Sequence, residues 1–389
     1  MSGASVIVVG AGVTGLSAAW WLARAGVDVL VIDKGIVGWE ASGRNGGGCT
    51  HYQSPLFAEE QRLWPMLEDL LGYPTEFQPR RLRIALTENQ RAPMSRAIED
   101  TRAQGLSAEW LDPAEVRDLA PLTGDNVVGG AYFACGGHAN PQRTVQAFAW
   151  ALRDLGGRIL QNCAVTGFEI QGAKVVGVRT AAGDFGCDQL VLAAGPQTGV
   201  LSGLLGSEVP VAAARAEMIV TEPLPPLPMG GVDGNGLYGR QTLRGNLAFG
   251  GGPHEWLDDV GLAGPKRRPS TPVLQSLARR VAELFPKAAA IRVIRSWAGV
   301  IETTPDGRPI LDRVWDNLTV ASMSGVGFGL SPASGHAVRD LVLDGQCSFA
   351  DLSKLKLARF ADTPADWRER VGWVPTTHAE AAEVSWQAG

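Results

Sequence analysis

Cysteine is scarce in this 389-residue chain. The five present, Cys49, Cys135, Cys163, Cys187 and Cys347, are scattered and form no C-x-x-C pair. That spacing argues against a disulfide framework, a cysteine-rich zinc site and an iron–sulfur cluster. Long apolar runs are missing too: none reaches the roughly 18 residues needed to span a bilayer. The first 20 residues lack a basic segment, and Gly10, Gly12 and Gly15 interrupt their apolar stretch. A secretory signal is therefore not expected, and a cytoplasmic location is. Basic blocks are absent, and 35 Lys and Arg against 40 Asp and Glu leave a formal charge of −5. This composition speaks against dedicated nucleic-acid binding or a polybasic membrane surface. The five histidines show no metal-ligand spacing, and no His-Glu-x-x-His or Ser/His/Asp order points to hydrolysis.

Glycine, by contrast, is abundant, with 49 residues, about twice average usage. No Gly-X-Y period or low-complexity tract absorbs the excess, so it belongs to turns and ligand loops. The pattern is that of a cofactor protein. A 45% hydrophobic and 19% charged composition is ordinary for a globular chain, and the length favours two domains.

The N-terminus predicts a strand at Val6–Val9, a glycine turn, a helix from Leu16 to Ala25 stopped by Gly26, and a second strand at Val27–Ile32. Helical periodicity follows over Glu59–Leu71, near Met94–Gln104 and over Thr144–Leu155. A meander is expected at Val165–Ile170, Val175–Thr180 and Phe185–Leu192, its last strand running into Gly195. Strands are then expected around Leu237–Arg240 and Asn246–Gly250, and a helix near Pro272–Leu284. Trp297–Asp312 reads as irregular and Pro-rich, Leu318–Ala321 as a strand, Ser322–Gly329 as a glycine loop and Ala333–Leu343 as a helix.

The strongest motif is Gly10-x-Gly12-x-x-Gly15, with Val13 and Thr14 inside it, set between a strand and a helix. Gly10 permits the tight turn, Gly12 lets backbone amides approach a pyrophosphate, and Gly15 allows close helix–strand packing. Phosphate charge then meets a helix N-terminus. Asp33, ending the second strand beside Lys34, is placed to accept from a ribose hydroxyl and to repel a 2′-phosphate. The motif alone does not separate FAD from NAD. Two further glycine clusters bear on that choice. Ser42, Gly43, Arg44, Asn45, Gly46 and Gly47 offer phosphate contacts and close approach to a flat ring. Gly325, Gly327, Phe328, Gly329 and Leu330 precede a helix whose N-terminus suits the electron-rich edge of a reduced flavin. Val165, Ala194 and Gly195 complete the expected cofactor set.

Together these residues resemble the FAD-dependent amine and amino-acid oxidoreductases of the D-amino-acid oxidase, glycine oxidase and sarcosine oxidase superfamily. The likeness runs from Val6 to about Gly345 through four stations in order: Gly10–Gly15, Ala41–Gly47, Trp297–Pro309 and Gly325–Gly335. A fifth, Tyr238–Leu247, resembles the family's substrate-side sheet. The Ala41–Gly47 form is similar to sarcosine oxidase β-subunit-like and γ-glutamylputrescine oxidase-like members. The resemblance implies an α/β two-domain flavoprotein: a Rossmann-like FAD-binding domain and a substrate domain of mixed or antiparallel sheet with helices. The expected division gives 1–80, 141–210 and 295–370 to FAD, 81–140 and 211–294 to substrate, and 371–389 to a C-terminal tail. Two departures are informative. Relatives often carry Gly-His-Gly where this chain has Gly325-Val326-Gly327, so that histidine's role does not transfer. Monomeric sarcosine oxidases attach flavin through a late cysteine, and none lies between Arg295 and Gly335. Non-covalent FAD is therefore expected, with Cys49 and His51 as the alternative attachment points.

The implied reaction is oxidation of a C–N bond in a small amino acid or secondary amine, with electrons passing to O2 or to a partner electron-transfer subunit. Arg240 is the candidate for a substrate carboxylate, because a guanidinium matches it in a two-point fork; a solvent-facing strand residue is the plain alternative. Trp297 is a candidate wall for ring or substrate, or else a core residue. Arg44 is expected at the phosphates, Arg244 in a turn, and His138 and His254 in satisfied structural roles. His51 or His138 is the candidate base should the substrate be a 2-hydroxy acid instead. A flavin-carrying subunit inactive alone is the remaining alternative.

Overall fold

The structure is a computed structural model that describes residues 3–257 and 268–370. The expected tail at 371–389 lies outside the described residues. Two sheets organise the chain. The first runs Ile310–Trp315, Leu318–Ser322, Gly183–Leu192, Ala4–Val9, Val29–Ile32 and Arg158–Leu160, with Val165–Gln171 and Lys174–Thr180 attached at one side. Ala4–Val9 is central, parallel to both neighbours, with Val6 opposite Val29 and Gln189. Its Ile7 and Val8 are fully buried on opposite faces, which is why the sequence reads as a continuous apolar run rather than an alternation.

The second sheet runs Val293–Thr303, Ala212–Pro223, Asn246–Leu257, Leu237–Gln241, Gly231–Gly234, Gln78–Ala85, Gly129–His138 and Ala108–Leu111. Successive side chains alternate between its faces. Leu237, Leu247 and Phe249 pack on the Thr271–Leu284 helix through Leu277, Val281 and Leu284. Directly paired residues share a face. The pairs Arg81↔Gly231, Gly231↔Arg240, Arg240↔Ala248, Val220↔Ala248 and Val220↔Arg295 therefore define the opposite face. Tyr238↔Gly250, Met218↔Gly250 and Met218↔Trp297 extend it. That face turns toward the 46–48 glycine stretch.

Four sequence expectations change. Trp297–Asp312 is largely sheet, because Val293–Thr303 pairs along the length of Ala212–Pro223; its prolines fall in the turn that follows. The 295–303 stretch thus belongs to the second sheet, whereas the sequence assigned it with the cofactor-binding pieces. Glu59–Leu71 is not one helix but Phe57–Leu63 and Leu67–Leu71, interrupted at Pro65. The second and third glycines of the late cluster, Gly327 and Gly329, are helical, since the last long helix is Gly327–Asp344 and not Ala333–Leu343. Pro332 inside it cannot donate to the Phe328 carbonyl, and Ser331 Oγ takes that acceptor at 2.7 Å. The prolonged helix survives its proline through that substitution of donor.

Candidate functional site

The first helix, Val13–Arg24, starts immediately after Gly12. Gly10 has φ +114°, a conformation that favours glycine. A Cβ on Gly15 would drive into the Gly10 carbonyl, so only glycine lets the helix lie this close to its strand. The last long helix crosses the first at Gly335, whose missing side chain is replaced by Ser17. Ser17 Oγ donates to Ser331 O at 2.7 Å and Trp21 Nε1 to Pro332 O at 3.0 Å. This packing brings both helix N-termini to one cleft, where Thr14 Oγ1 lies 3.2 Å from where a Gly327 Cβ would be.

The cleft encloses about 1080 Å³, open solvent included. Of the expected cofactor residues it is lined by Gly10, Gly12, Val13, Thr14, Asp33, Lys34, Ser42, Asn45, Val165, Ala194, Gly195, Gly325, Gly327 and Phe328. Asp33 accepts from Ala11 N at 2.6 Å and Gly35 N at 2.7 Å, fixing its carboxylate at the end of its strand. Ser42 Oγ accepts from Val13 N at 3.0 Å. No side chain caps the Gly327–Asp344 helix, so its first amides and positive dipole end remain available to negative charge. Glycine-lined approach, two helix N-termini and a strand-end carboxylate fit a dinucleotide.

The other expected cofactor residues do not line the cleft. Gly15 serves packing. A side chain on Gly329 would run into the His51 ring, and Leu330 is fully buried in the core. A Cβ on Gly43 would meet Gly38 O and Gln142. Arg44 departs from its expected phosphate role: its guanidinium reaches Trp39 O at 2.6 Å and Ala298 O at 3.2 Å and lies over the Trp39 ring. Trp297 Nε1 in turn donates to Arg44 O at 2.8 Å. These contacts fasten the glycine cluster to the second sheet.

Gly46, Gly47 and Gly48 cross that sheet over Tyr238, Arg240 and Arg81 respectively, each glycine leaving room for the side chain beneath it. Arg240 is 8% exposed, which overturns the solvent-facing alternative. Its Nη1 donates to Gly46 O, and no carboxylate pairs with it among the described residues. Burial, with Arg81 nearby, pushes its pKa down to about 10, so it is cationic at neutral pH. Arg81 differs: Asp233 grips it at 2.8 and 2.6 Å. His138, 4% exposed, is neutral, its pKa pressed far below the usual range by burial and then by Arg240 and Arg81. Among the described residues its Nδ1 has no hydrogen-bond partner, contrary to the satisfied role expected. Burial lowers the His254 pKa to about 4.

His51 meets a fully buried acid: Glu60 Oε1 lies 2.8 Å from His51 Nδ1, and Oε2 accepts from His51 N at 3.1 Å. The neighbouring Cys49 thiol is 1% exposed, and burial raises its pKa well above the usual range. A thiol held protonated is a poor nucleophile, which disfavours attachment there. The sequence reading missed Ile301, Glu302, Gln197 and Glu40, all of which line the cleft. The first two lie on the Val293–Thr303 strand, which the sequence read as irregular.

A family model described as FAD dependent oxidoreductase matches residues 5–341. The chain is 30% identical over 379 residues to the sarcosine oxidase subunit beta of Rhodobacter capsulatus, covering 92% of this chain and 90% of that one. It is 29% identical over 326 residues to the glycine oxidase of Pseudomonas putida, covering 79% and 85%. The fold matches the crystal structure of L-proline dehydrogenase from P. horikoshii with a TM-score of 0.86 at 23% identity, over 92% of this chain and 98% of that one.

Proposed function

This chain belongs to the FAD-dependent oxidoreductase family, and from that premise we propose that it oxidises the C–N bond of a small amino acid or secondary amine. One observation carries the carboxylate half of the reading. Arg240 is a buried cation that forms no ion pair among the described residues, on the sheet face turned toward the glycine cluster. A buried charge is stable when paired, and a substrate carboxylate supplies the pair. On the same face Gly250 makes room for Met218 and Tyr238, which pack where its side chain would stand. The first sheet holds the cofactor in this reading, and the second faces the substrate.

When bound, FAD supplies the acceptor for a hydride from the carbon bearing nitrogen, leaving an imine that water hydrolyses. The chain's own part is orientation. Arg240 fixes the carboxylate end, the 46–48 glycines admit close approach, and the two helix N-termini stabilise negative charge in the cleft. The substrate enters as the neutral amine, because an ammonium has no lone pair to assist hydride departure. The rate of anaerobic flavin reduction should therefore rise with pH, and its apparent pKa should follow the substrate amine across two or three amines. A bleaching rate faster with the matching hydroxy acid than with any amine sinks this reading. In its place would stand the second one, which rests on the Glu60–His51 pair as a base for a 2-hydroxy acid. In that case the apparent pKa would belong to the protein and would not change from one substrate to the next.

The FAD is held without a covalent bond in our reading, supported by the protonated state of Cys49. Acid precipitation of the loaded protein should leave the yellow colour in the supernatant; colour in the pellet means attachment. Electrons leave to O2 or to a partner subunit, and similarity to chains named sarcosine oxidase subunit beta supports the second route. Turnover that requires a co-purifying chain distinguishes it. Among the described residues no helix is long and apolar enough to cross a membrane, and we place the enzyme in the cytoplasm.

A further inference from the structure

Glu302 stands in the cofactor cleft, near the end of the Val293–Thr303 strand. Its Oε1 accepts from Met323 N at 3.0 Å, which fixes the carboxyl. Its Oε2 lies 3.7 Å from where a Gly195 Cβ would stand, and besides Met323 N the carboxyl meets only its own backbone N–H among the described residues. On the neighbouring strand Ala213 lies opposite Glu302, and the nearest charge on that face, Arg215, is engaged with Glu217 and Glu255. Its own strand contributes Ile301. The turn after the Leu318–Ser322 strand contributes Met323, Gly325 and Ser324, whose hydroxyl is engaged with Thr304 at 3.0 Å. The Gly195–Gln197 turn contributes glycine, proline and a neutral amide. The charged residues lining the cleft are Asp33, Lys34 and Glu40, and Lys34 lies 3.8 Å from Glu40. Among the described residues no Lys, Arg or His pairs with Glu302.

We propose that Glu302 meets the cofactor as a neutral carboxylic acid, so that FAD capture takes up one proton and weakens as pH rises. The inference rests on the family's cofactor and not on the substrate reading. FAD brings two negative charges on its pyrophosphate into the same cleft. An ionised Glu302 there adds a further negative charge, beyond that of Asp33, in a space from which the ligand expels water. The positive end of the Gly327–Asp344 helix favours the ionised form, but with only roughly half a charge against two. Burial already raises the Glu302 pKa above the ordinary glutamate range. The neutral acid also gains an O–H donor, which suits a ligand rich in hydroxyl and phosphate oxygens.

The sign follows from linkage. A ligand that raises a group's pKa binds with proton uptake, so affinity falls from the pKa of the free protein up to that of the complex. The test titrates FAD into apoprotein, read by quenching of flavin fluorescence, between about pH 5 and 9. The native Kd should increase by up to about tenfold per pH unit across the window. Glu302→Gln, permanently neutral, should give a flat profile over that window and bind FAD more tightly than the native chain at its alkaline end. Glu40→Gln should keep the native slope. Calorimetry in buffers of different ionisation enthalpy should record uptake of one proton by the native protein, a measurement that needs no variant. A flat native profile, an unchanged slope in Glu302→Gln, or no proton uptake overturns the proposal. None of these readouts involves substrate, so they stand apart from any failure of the amine assignment.

Discussion

Replacing Arg240 with Ala should lower kcat/KM on the best amino-acid substrate roughly 10- to 150-fold, the loss of a charge-assisted contact of about 1.5–3 kcal/mol. Flavin content should not change, because Arg240 is not among the residues lining the cofactor cleft. Arg240→Lys should recover part of the loss: the charge returns without the fork that meets a carboxylate at two points. A merely structural Arg240, holding the Gly46 carbonyl, predicts something different. Both variants would then lose stability and flavin together, and amines without a carboxylate would suffer as much as amino acids. The discriminating measurement is therefore the ratio of the two substrate classes in each variant. Near-native kcat/KM of the Ala variant on the amino acid sinks the assignment. The pH dependence has a definite direction too. Arg240 stays cationic up to about pH 10, so carboxylate recognition should persist through the alkaline range where the substrate amine becomes neutral, and fail only above it.

How much of this was legible in the sequence depended on whether the signal was local. The strand, glycine turn, helix and second strand of the N-terminus obey rules that act within about 30 residues. There the turn needs glycine at Gly10 because φ is +114°, and the helix needs it at Gly15 because a backbone carbonyl occupies the Cβ position. The partners of Arg240 were not legible. Among the described residues its cation has no ion pair, a fact that appears only when the sheet sets Arg81 on Asp233 and leaves Arg240 with a backbone carbonyl. Arg44 shows the converse. A guanidinium within a glycine cluster suggests phosphate, yet tertiary packing offers it two carbonyls and the face of Trp39. Glu302 was hidden by two prolines. Pro305 and Pro309 made the whole segment read as irregular, although both lie beyond the strand that carries Glu302 into the cleft.

The helix start misread at Gly327 has the same physical origin. Glycines and a proline suggest a loop, but Ser331 repairs the hydrogen bond that Pro332 removes, and the glycines are there for approach. Gly327 lies beside Thr14 and Met323, Gly329 beside His51, and Gly335 beside Ser17. Each absence of a side chain brings another element within reach, and together they place one helix terminus beside another. Local propensity was overruled by contacts made across more than 300 residues of chain, as between Ser17 and Ser331.

Gly15→Ala should abolish flavin retention, the largest single-residue effect expected in this molecule. The added Cβ has no room: the Gly10 carbonyl oxygen stands in its place, with Gly10 C at 3.2 Å and Val8 Cγ1 at 3.3 Å around it. Backbone cannot rotate away as a flexible side chain does, so the helix must lift from the strand. Overpacking of this kind costs about 1–3 kcal/mol of stability. The loss to the cofactor is greater in kind, because lifting the helix moves its N-terminal amides and spreads the turn through Gly10 and Gly12 that lines the cleft. Every 1.4 kcal/mol lost from the cofactor contacts weakens FAD binding about tenfold. Gly26→Ala supplies the control. It ends the same helix at φ +85° with nothing within 4 Å of the new Cβ, so it should lower stability by about 1–2 kcal/mol through the left-handed backbone alone and keep its flavin. The measurement pairs a thermal melt with the FAD dissociation constant of the apoprotein for each variant. If Gly15→Ala binds FAD as tightly as the native chain, or if Gly26→Ala loses flavin to the same degree, the link between this helix's seating and cofactor capture is wrong.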